Sequence, residues 1–210
     1  MANTARENIL GKIKQALAKP VPVPFPASQG NEPVFLPSQQ ELEIEFAENF
    51  TRLEGKFSFC ADEKELVEQL HTLIANRNWT KIYSRETNVQ EKLSAAGFST
   101  VYYDDVASCD AAITGCESLI ARTGTMIMSS AQKSGRTISV YAPVHICVAY
   151  TSQLVYDISE GLQHLREHYG QQFPSLVTLA TGPSRTADIE KTLVVGVHGP
   201  KEVFCFLVDS

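Results

Sequence analysis

The chain has 210 residues, of which 43% are hydrophobic, and it carries a formal net charge of −6. This size and apolar content predict an α/β domain with a sizeable core. The acidic balance argues against nucleic acid as the main partner, and no run approaches the roughly 20 apolar residues of a membrane span.

Residues 1–37 are predicted to form a helix and a proline-rich linker, ahead of a domain at residues 38–210. A capping box at Thr4 and Glu7 begins the helix. Its apolar residues share one face: Ile9, Leu10, Ile13 and Leu17. Prolines repeated between residues 20 and 37 favour a stiff, extended chain. The apolar face packs either on a partner or back on the same domain, and the sequence leaves both open.

From residue 38 onward helices and strands alternate, which predicts βαβ units and a parallel sheet. A capping box at Ser38 and Glu41 begins a helix that ends near Gly55. The next predicted elements are a strand at 57–60, a helix from residue 62, a strand at 81–84, a helix at 86–96 and a strand at 98–102. Short apolar runs then predict a β-rich insert or additional strands: 111–114, 119–121, 125–128, 137–140 and 145–149. Residues 154–169 return to a helical pattern.

A dense polar stretch at residues 181–190 follows an apolar, strand-like run. A strand, a tight turn and a helix start together favour an anion site, because the free N–H groups and the helix dipole attract negative charge. The candidate ligand-binding side chains here are hydrogen-bond donors: Ser184, Arg185 and Thr186. Asp188 and Glu190 are candidate acid–base groups. The alternative is an ordinary turn whose hydroxyls cap the following helix.

A second polar turn, at residues 198–201, lies between the apolar runs 193–197 and 203–208. Two polar turns at the ends of adjacent strands predict one ligand-binding rim of a sheet. His198 is therefore a further candidate acid–base group and, with Gly199, a candidate ligand contact.

Other candidate ligand-binding residues lie in the middle of the chain: Thr123, Gly124, Thr125, Arg136 and His145. Small hydroxylated residues around a glycine let a backbone approach a ligand closely. Each has a structural alternative. These are a hairpin turn for the first three residues, a solvated surface cation for Arg136, and a hydrogen-bonded structural histidine for His145.

The cysteines are dispersed and form no Cys-x-x-Cys pair: Cys60, Cys109, Cys116, Cys147 and Cys205. An odd, scattered set predicts reduced thiols in an intracellular protein. It also argues against an iron–sulfur cluster held by this chain alone, and the lack of paired histidines argues against a closed zinc site. Charges at Arg6, Lys12 and Lys14 argue against a signal peptide. We therefore expect a cytoplasmic protein with no metal or cofactor of its own.

Four motifs occur in the order typical of one family. They are Ala-x-Thr-Gly-Thr at 121–125, Pro-Val-His-Ile at 143–146, Thr-Gly-Pro-Ser-Arg-Thr-Ala-Asp-Ile-Glu at 181–190 and Gly-Val-His-Gly-Pro at 196–200. On these residues the chain resembles the lactate-utilization protein C family, the LUD domain, over about residues 56–209. The family often has an acidic residue at the position of Arg122, so this chain departs from the pattern there and its local pocket is expected to be more cationic.

The resemblance implies a three-layer α/β fold similar to the glucosamine-phosphate isomerase, ribose-phosphate isomerase and CoA-transferase group. It also implies a role in oxidising L-lactate to pyruvate alongside iron–sulfur partner proteins, which would carry the clusters. This chain would bind a small anionic ligand or the partner subunits. The apolar face of the N-terminal helix separately raises the expectation of a homo-oligomer. The alternative is a free-standing enzyme of the same fold, acting on a small phosphorylated or CoA-linked acid, because a fold alone does not fix an activity.

Overall fold

The computed structural model describes residues 5–18, 37–134, 136–187 and 193–210. The chain divides into two units, residues 1–37 and 38–210. The first unit contains helix α1 (Ala5–Leu17), on which Ile9, Leu10 and Ile13 are exposed. Thr4 of the predicted capping box and most of the predicted linker lie outside the described residues.

The second unit contains the remaining helices and strands. In chain order they are α2 (Leu42–Arg52), β1 (Lys56–Cys60), α3 (Glu63–Arg77), β2 (Ile82–Tyr83), α4 (Thr87–Ala95), β3 (Ala111–Thr114), β4 (Ser118–Ile120), β5 (Thr125–Ser129), α5 (Ile138–Tyr141), β6 (Val144–Tyr150), β7 (Leu154–Val155), α6 (Ile158–Tyr169), β8 (Val177–Ala180), β9 (Arg185–Ala187), β10 (Leu193–Val195) and β11 (Glu202–Val208). Within the described ranges, none of the helices has the length and apolar character needed to span a bilayer.

The strands form three sheets. The main sheet is parallel throughout, in the order β1–β11–β6–β3–β2. Strands β7–β4–β5–β8 form a second, mixed sheet, and β9 pairs with β10 in an antiparallel hairpin. The predicted α/β class with a parallel sheet is confirmed. The predicted β-rich middle divides between the sheets, since β3 and β6 join the main one and β4 and β5 the second.

The main sheet is covered on both faces, as a parallel sheet requires. On β6, Ile146 and Val148 pack with the apolar side chains of α3 and α4. The intervening Cys147 and Ala149 pack on the opposite face, with Phe46 and other residues of α2, β4 and β5. Helix α6 packs on the second sheet in a separate cluster. The core therefore follows the period of two along the strands.

Local capping chemistry explains where α3 begins but not where α2 begins. The Asp62 carboxylate accepts a hydrogen bond from the Glu65 backbone N–H at 2.9 Å, which satisfies a free donor of the first turn of α3. The predicted capping box at Ser38 is wrong. Its hydroxyl donates to the Gln40 carbonyl at 2.7 Å, and α2 starts after Glu41, whose side chain makes no capping bond.

The predicted strand at 98–102 is wrong. After α4, Phe98 turns into the core and is 4% exposed, whereas Val101 is 91% exposed. Residues 98–102 belong to none of the strands of the sheets. Only a single bridge, between Tyr83 and Tyr103, extends the edge of the main sheet here.

Two further predicted elements differ in the structure, one in its type and one in where it begins. Residues predicted as a strand at 137–140 instead enter the short helix α5, where the Tyr141 N–H donates to the Thr137 carbonyl at 3.0 Å in the helical i to i−4 pattern. The predicted helix at 154–169 begins only at Ile158, because Leu154 and Val155 pair with β4.

The segment after the Thr181 turn also differs from its prediction. The sequence predicted a helix start there, but Arg185–Ala187 is strand β9, whose register partners lie on β10. The described part of this segment is thus a turn that leads into a hairpin. Asp188 and Glu190, the two predicted acid–base groups, lie outside the described residues.

Candidate functional site

A cleft of about 770 Å³ opens at the carboxyl edge of the main sheet. Its walls include residues that directly follow or end the parallel strands: Glu86 after β2, Gly115 and Cys116 after β3, Tyr150 at the end of β6, and Ser210 after β11. Open α/β sheets bind ligands at this edge, where loops leave the strands. The cleft also has the volume of a small-molecule site, so it is the candidate functional site.

A buried carboxyl group, that of Glu86, lies in the wall of the cleft. Glu86 is 5% exposed and accepts hydrogen bonds from the Ser134 hydroxyl at 2.6 Å and the Gly115 N–H at 3.0 Å. Burial raises the pKa of Glu86 above its usual value, against the opposing effect of these two donors. Perturbed carboxyl groups in clefts are typical of sites that exchange protons.

A second carboxyl group, that of Glu117, lies in the same cleft. Its Oε1 accepts hydrogen bonds from the Tyr169 hydroxyl at 2.9 Å and from the Ser129 hydroxyl. Burial, and then the hydrogen bond to Glu117, raise the pKa of Tyr169, so the phenol remains a proton donor. Gln132 fixes this wall, because its Oε1 accepts from the Ser129 N–H at 3.0 Å. The cleft therefore places two carboxyl groups with distinct environments along one network.

Two lysines supply positive charge to the cleft. The Lys133 ammonium donates to the Thr87 hydroxyl at 3.0 Å, and the Lys92 ammonium lies 3.8 Å from the centroid of the Tyr150 ring. Neither is part of an ion pair within the described residues. Both charges are thus held by neutral groups, which leaves them able to bind an anion.

A strand, a turn and a helix start meet at the same wall. Strand β2 ends at Tyr83, and α4 begins at Thr87 after Glu86, whose side chain makes no capping hydrogen bond. Thr87 and Asn88, in the first turn of α4, line the cleft. In the turn between them, the Ser84 hydroxyl is buried and has no hydrogen-bond partner within the described ranges. Such a helix start favours negative charge.

Helix α2 packs directly against the glycines of the predicted ligand-binding turns. Gly124 has φ +60°, and a Cβ there would lie 2.4 Å from the Phe50 backbone nitrogen. Gly182 has φ +91°, and a Cβ there would lie 2.6 Å from the Leu53 carbonyl oxygen. The Asn49 side-chain amide donates to the Ala121 carbonyl at 2.8 Å. The close backbone approach predicted at Gly124 therefore occurs, but toward the chain's own helix.

The polar side chains of these turns bond to one another and to the end of α2. Thr125 bonds through its hydroxyl to Thr123 at 2.7 Å and to Thr181 at 2.9 Å. The Arg185 guanidinium donates to the Leu53 carbonyl at 2.8 Å and pairs with Glu54 at 3.3 Å. Arg185 is thus already held by a carbonyl and a carboxylate.

The two predicted polar turns at 181–186 and 198–201 do lie side by side. The Ser184 N–H donates to the Pro200 carbonyl at 2.9 Å, and the Gly196 N–H donates to the Ser184 carbonyl at 2.8 Å. Thr186 lies on β9, Gly199 is buried and His198 is exposed. These residues share a rim, as predicted, but none of them lines the cleft.

The remaining predicted positions also lie away from the cleft. Arg136 is exposed and donates to the Ser175 hydroxyl. His145 is 1% exposed, bonds through Nε2 to the Thr114 hydroxyl at 2.8 Å, and has its pKa lowered by burial, which matches the structural alternative. Arg122 was expected to make its surroundings more cationic, but its Nε pairs with Asp157 at 2.7 Å.

Three of the dispersed cysteines converge between the main sheet and α2. Cys147 on β6 is the register partner of Cys205 on β11, and the third cysteine is Cys116, which follows β3. All three thiols are buried. Hydrogen bonds from Cys116 and Cys205 lower the pKa of Cys147, and the same contacts with burial raise the pKa of the two donors. Across the described ranges, no group of three or more His, Cys, Asp or Glu side chains is arranged to hold a metal ion.

Sequence reasoning missed Glu86 and Glu117. A signal was present, because each follows closely after a predicted strand, at 81–84 and 111–114. The carboxyl ends of parallel strands meet at one edge of a sheet, so two acids at these positions are expected to share a site.

Comparison with known proteins identifies the family. The LUD domain matches residues 44–208 of this chain. An uncharacterized protein of Neisseria meningitidis serogroup B is 25% identical over 227 aligned positions, which cover 95% of this chain and 91% of that protein. A lactate utilization protein C of Shouchella clausii is 36% identical over 102 residues, which cover 48% of this chain and 44% of that protein. Several other proteins of that name are likewise matched over about half their length.

The fold also has a counterpart among solved structures. A DUF162 family protein from Deinococcus radiodurans superimposes with a TM-score of 0.59, covering 80% of this chain and 96% of that one, at 19% identity. This agreement supports the α/β architecture described above. Because the domain match extends from α2 through β11, the chain belongs to the LUD domain family.

Proposed function

We propose that this chain is a component of a system that oxidises L-lactate to pyruvate, with the iron–sulfur clusters carried by partner proteins. The observation that supports this is the LUD domain match, together with relatives named lactate utilization protein C. The chain's own part is to bind a small anionic ligand, and to contact those partners in the cytoplasm.

The residues around the cleft are of the kinds that bind a small anionic ligand. The cleft combines the start of α4, a buried carboxyl group and two lysines that form no ion pair with any described residue. These are the elements that hold a small carboxylate and exchange a proton with it. The electrons removed from lactate would pass to the partner proteins.

Genetics and co-purification test this function. A strain that lacks this chain should fail to grow on L-lactate as sole carbon source, and the full-length chain should restore growth. A tagged chain isolated from the native cell without air should bring down iron-containing proteins that reduce a dye when L-lactate is added. Unimpaired growth of the deletion strain, with no lactate-dependent dye reduction in the isolate, would rule the proposal out.

A second candidate function is a free-standing enzyme that acts on a phosphorylated or CoA-linked acid. The volume of the cleft favours it, because about 770 Å³ is far more than a three-carbon acid fills and lies within the range of larger ligands. The purified chain alone would then convert such a compound. Inactivity of the chain alone, with activity restored by its partners, would decide for the first proposal.

A further inference from the structure

We infer that the cleft at the carboxyl edge of the main sheet is a carboxylate-binding site in which Glu86 takes up a proton as the ligand binds. The inference rests on the proposed function for the class of ligand, a small carboxylate such as lactate or pyruvate. The site itself is argued from the contacts around Glu86.

Two neighbouring hydrogen bonds join the start of α4 to the segment before α5. Ser134 donates to Glu86 at 2.6 Å, and the adjacent Lys133 donates to the adjacent Thr87 at 3.0 Å. This pairing brings a lysine ammonium to the wall that contains the buried carboxyl group. Lys133 and Glu86 both line the cleft, so an anion that binds Lys133 lies in the same cavity as Glu86.

The other groups at this wall also favour an anion. Lys92 lies on α4, lines the same cleft and rests on an aromatic ring rather than on an acid. The first turn of α4 lines the cleft as well, and the nearby Ser84 hydroxyl is buried with no hydrogen-bond partner in the described part of the chain. The anion is thus attracted by full charges, with the helix start in support.

Glu86 is the group that must respond. A negative ligand beside a carboxylate is repelled, whereas a neutral carboxylic acid can donate a hydrogen bond to the ligand oxygen. Burial has already raised the pKa of Glu86, so its protonation costs less than that of an exposed glutamate. The bound ligand raises the pKa further, and the proton comes from solvent.

The linkage between ligand binding and protonation of Glu86 determines whether affinity rises or falls with pH. The complex holds one proton more than the free chain at pH values between the free and bound pKa of Glu86. Affinity for the carboxylate therefore falls as pH rises through this window, by up to about tenfold per pH unit. Glu63, Glu117 and His168 also line the cleft and are the other titratable groups that a bound anion would affect, so the pH dependence is assigned to Glu86 by the Glu86→Gln variant.

Calorimetry on the full-length chain tests the inference. L-lactate, pyruvate, phosphate and sulfate are titrated across a range of pH, in buffers with different ionisation enthalpies, so that protons taken up on binding are measured. We expect uptake of up to one proton per carboxylate bound. Glu86→Gln should abolish uptake and flatten the pH dependence, and Lys133→Gln should weaken binding about tenfold. Glu91→Gln, on the exposed face of α4, is the matched control and should leave both unchanged.

The outcomes separate the inference from the proposed function. Carboxylate binding without proton uptake, or no anion binding at all, would overturn the inference, even where the chain is required for growth on lactate. Proton-linked binding in a chain that is dispensable for lactate oxidation would uphold the site and overturn the function. If Glu86→Gln does not fold, Ser134→Ala decides, because it removes a hydrogen bond that lowers the pKa of Glu86 and should move the pH dependence of binding to higher pH. An unchanged pH dependence in Ser134→Ala would assign the proton to another group and overturn the inference.

Discussion

Replacing Gly124 with alanine should destabilise the domain by displacing helix α2 from its packed position. Gly124 has φ +60°, and the new Cβ would lie 2.4 Å from the backbone nitrogen of Phe50 and 2.7 Å from the backbone carbon of Asn49. The left-handed conformation costs an alanine about 1–2 kcal/mol. Overpacking against backbone atoms, which cannot rotate away, adds about 1–3 kcal/mol.

The expected loss is therefore about 2–5 kcal/mol, a large share of the roughly 5–15 kcal/mol that stabilises an ordinary domain. The strain relaxes when α2 and the turn at residue 124 move apart. Such a movement would expose Phe46 and Phe50, which are fully buried against the second sheet and β11. Loss of stability and partial release of α2 thus have one cause.

Urea unfolding followed by far-ultraviolet circular dichroism measures the loss. Gly97→Ala is the matched control, because Gly97 also has positive φ, +101°, but a Cβ there meets nothing within 4 Å. The control reports the backbone cost alone. Equal losses in the two variants would refute the contact between Gly124 and α2 as the cause.

Three further predictions concern other parts of the chain. Arg185→Ala should lower the free energy of unfolding by about 1 kcal/mol, through its lost bonds to Leu53 and Glu54, and should leave anion binding measured by calorimetry unchanged. Hydrogen bonds from Ser159, together with Arg122, lower the pKa of Asp157. This carboxylate therefore stabilises the fold at neutral pH and ceases to do so as pH falls through its folded-state pKa. The free energy of unfolding of Asp157→Asn should accordingly fall less than that of the unmutated chain between pH 7 and about pH 3. Deletion of residues 1–37 should leave the melting temperature of residues 38–210 unchanged while reducing assembly size in light scattering; a large drop in melting temperature would contradict this.

The sequence predicts those parts of the fold that depend on local chemistry. The start of α3 follows from the side chain of Asp62, which bonds to a backbone group three residues away. The alternation of helices and strands predicts the parallel sheet, because a strand, a crossover helix and a parallel strand form a compact unit. These features need no knowledge of which distant segments meet.

Prediction fails where a distant partner decides the conformation. The stretch 184–190 carries local helix signals, yet residues 185–187 within it form a strand because β10 pairs with them. The cysteines look unrelated in sequence, yet Cys147 and Cys205 are opposite each other because β6 and β11 are neighbours. In the first case tertiary pairing overrides local propensity, and in the second it brings together residues that are far apart in sequence.

The arrangement that the sequence predicted after β8, a strand followed by a polar turn and a helix start, is found instead after β2. The motif at 181–186 has one glycine and three hydroxyl side chains. These features also suit a turn against which another backbone packs, and α2 packs there. The segment from Ser84 to Thr87 has no glycine and no conspicuous motif, yet it lies at the carboxyl edge of the main sheet, and its residues Glu86 and Thr87 line the cleft. Position in the sheet therefore locates the candidate site better than polar density does, because only position determines which side chains converge on one cavity.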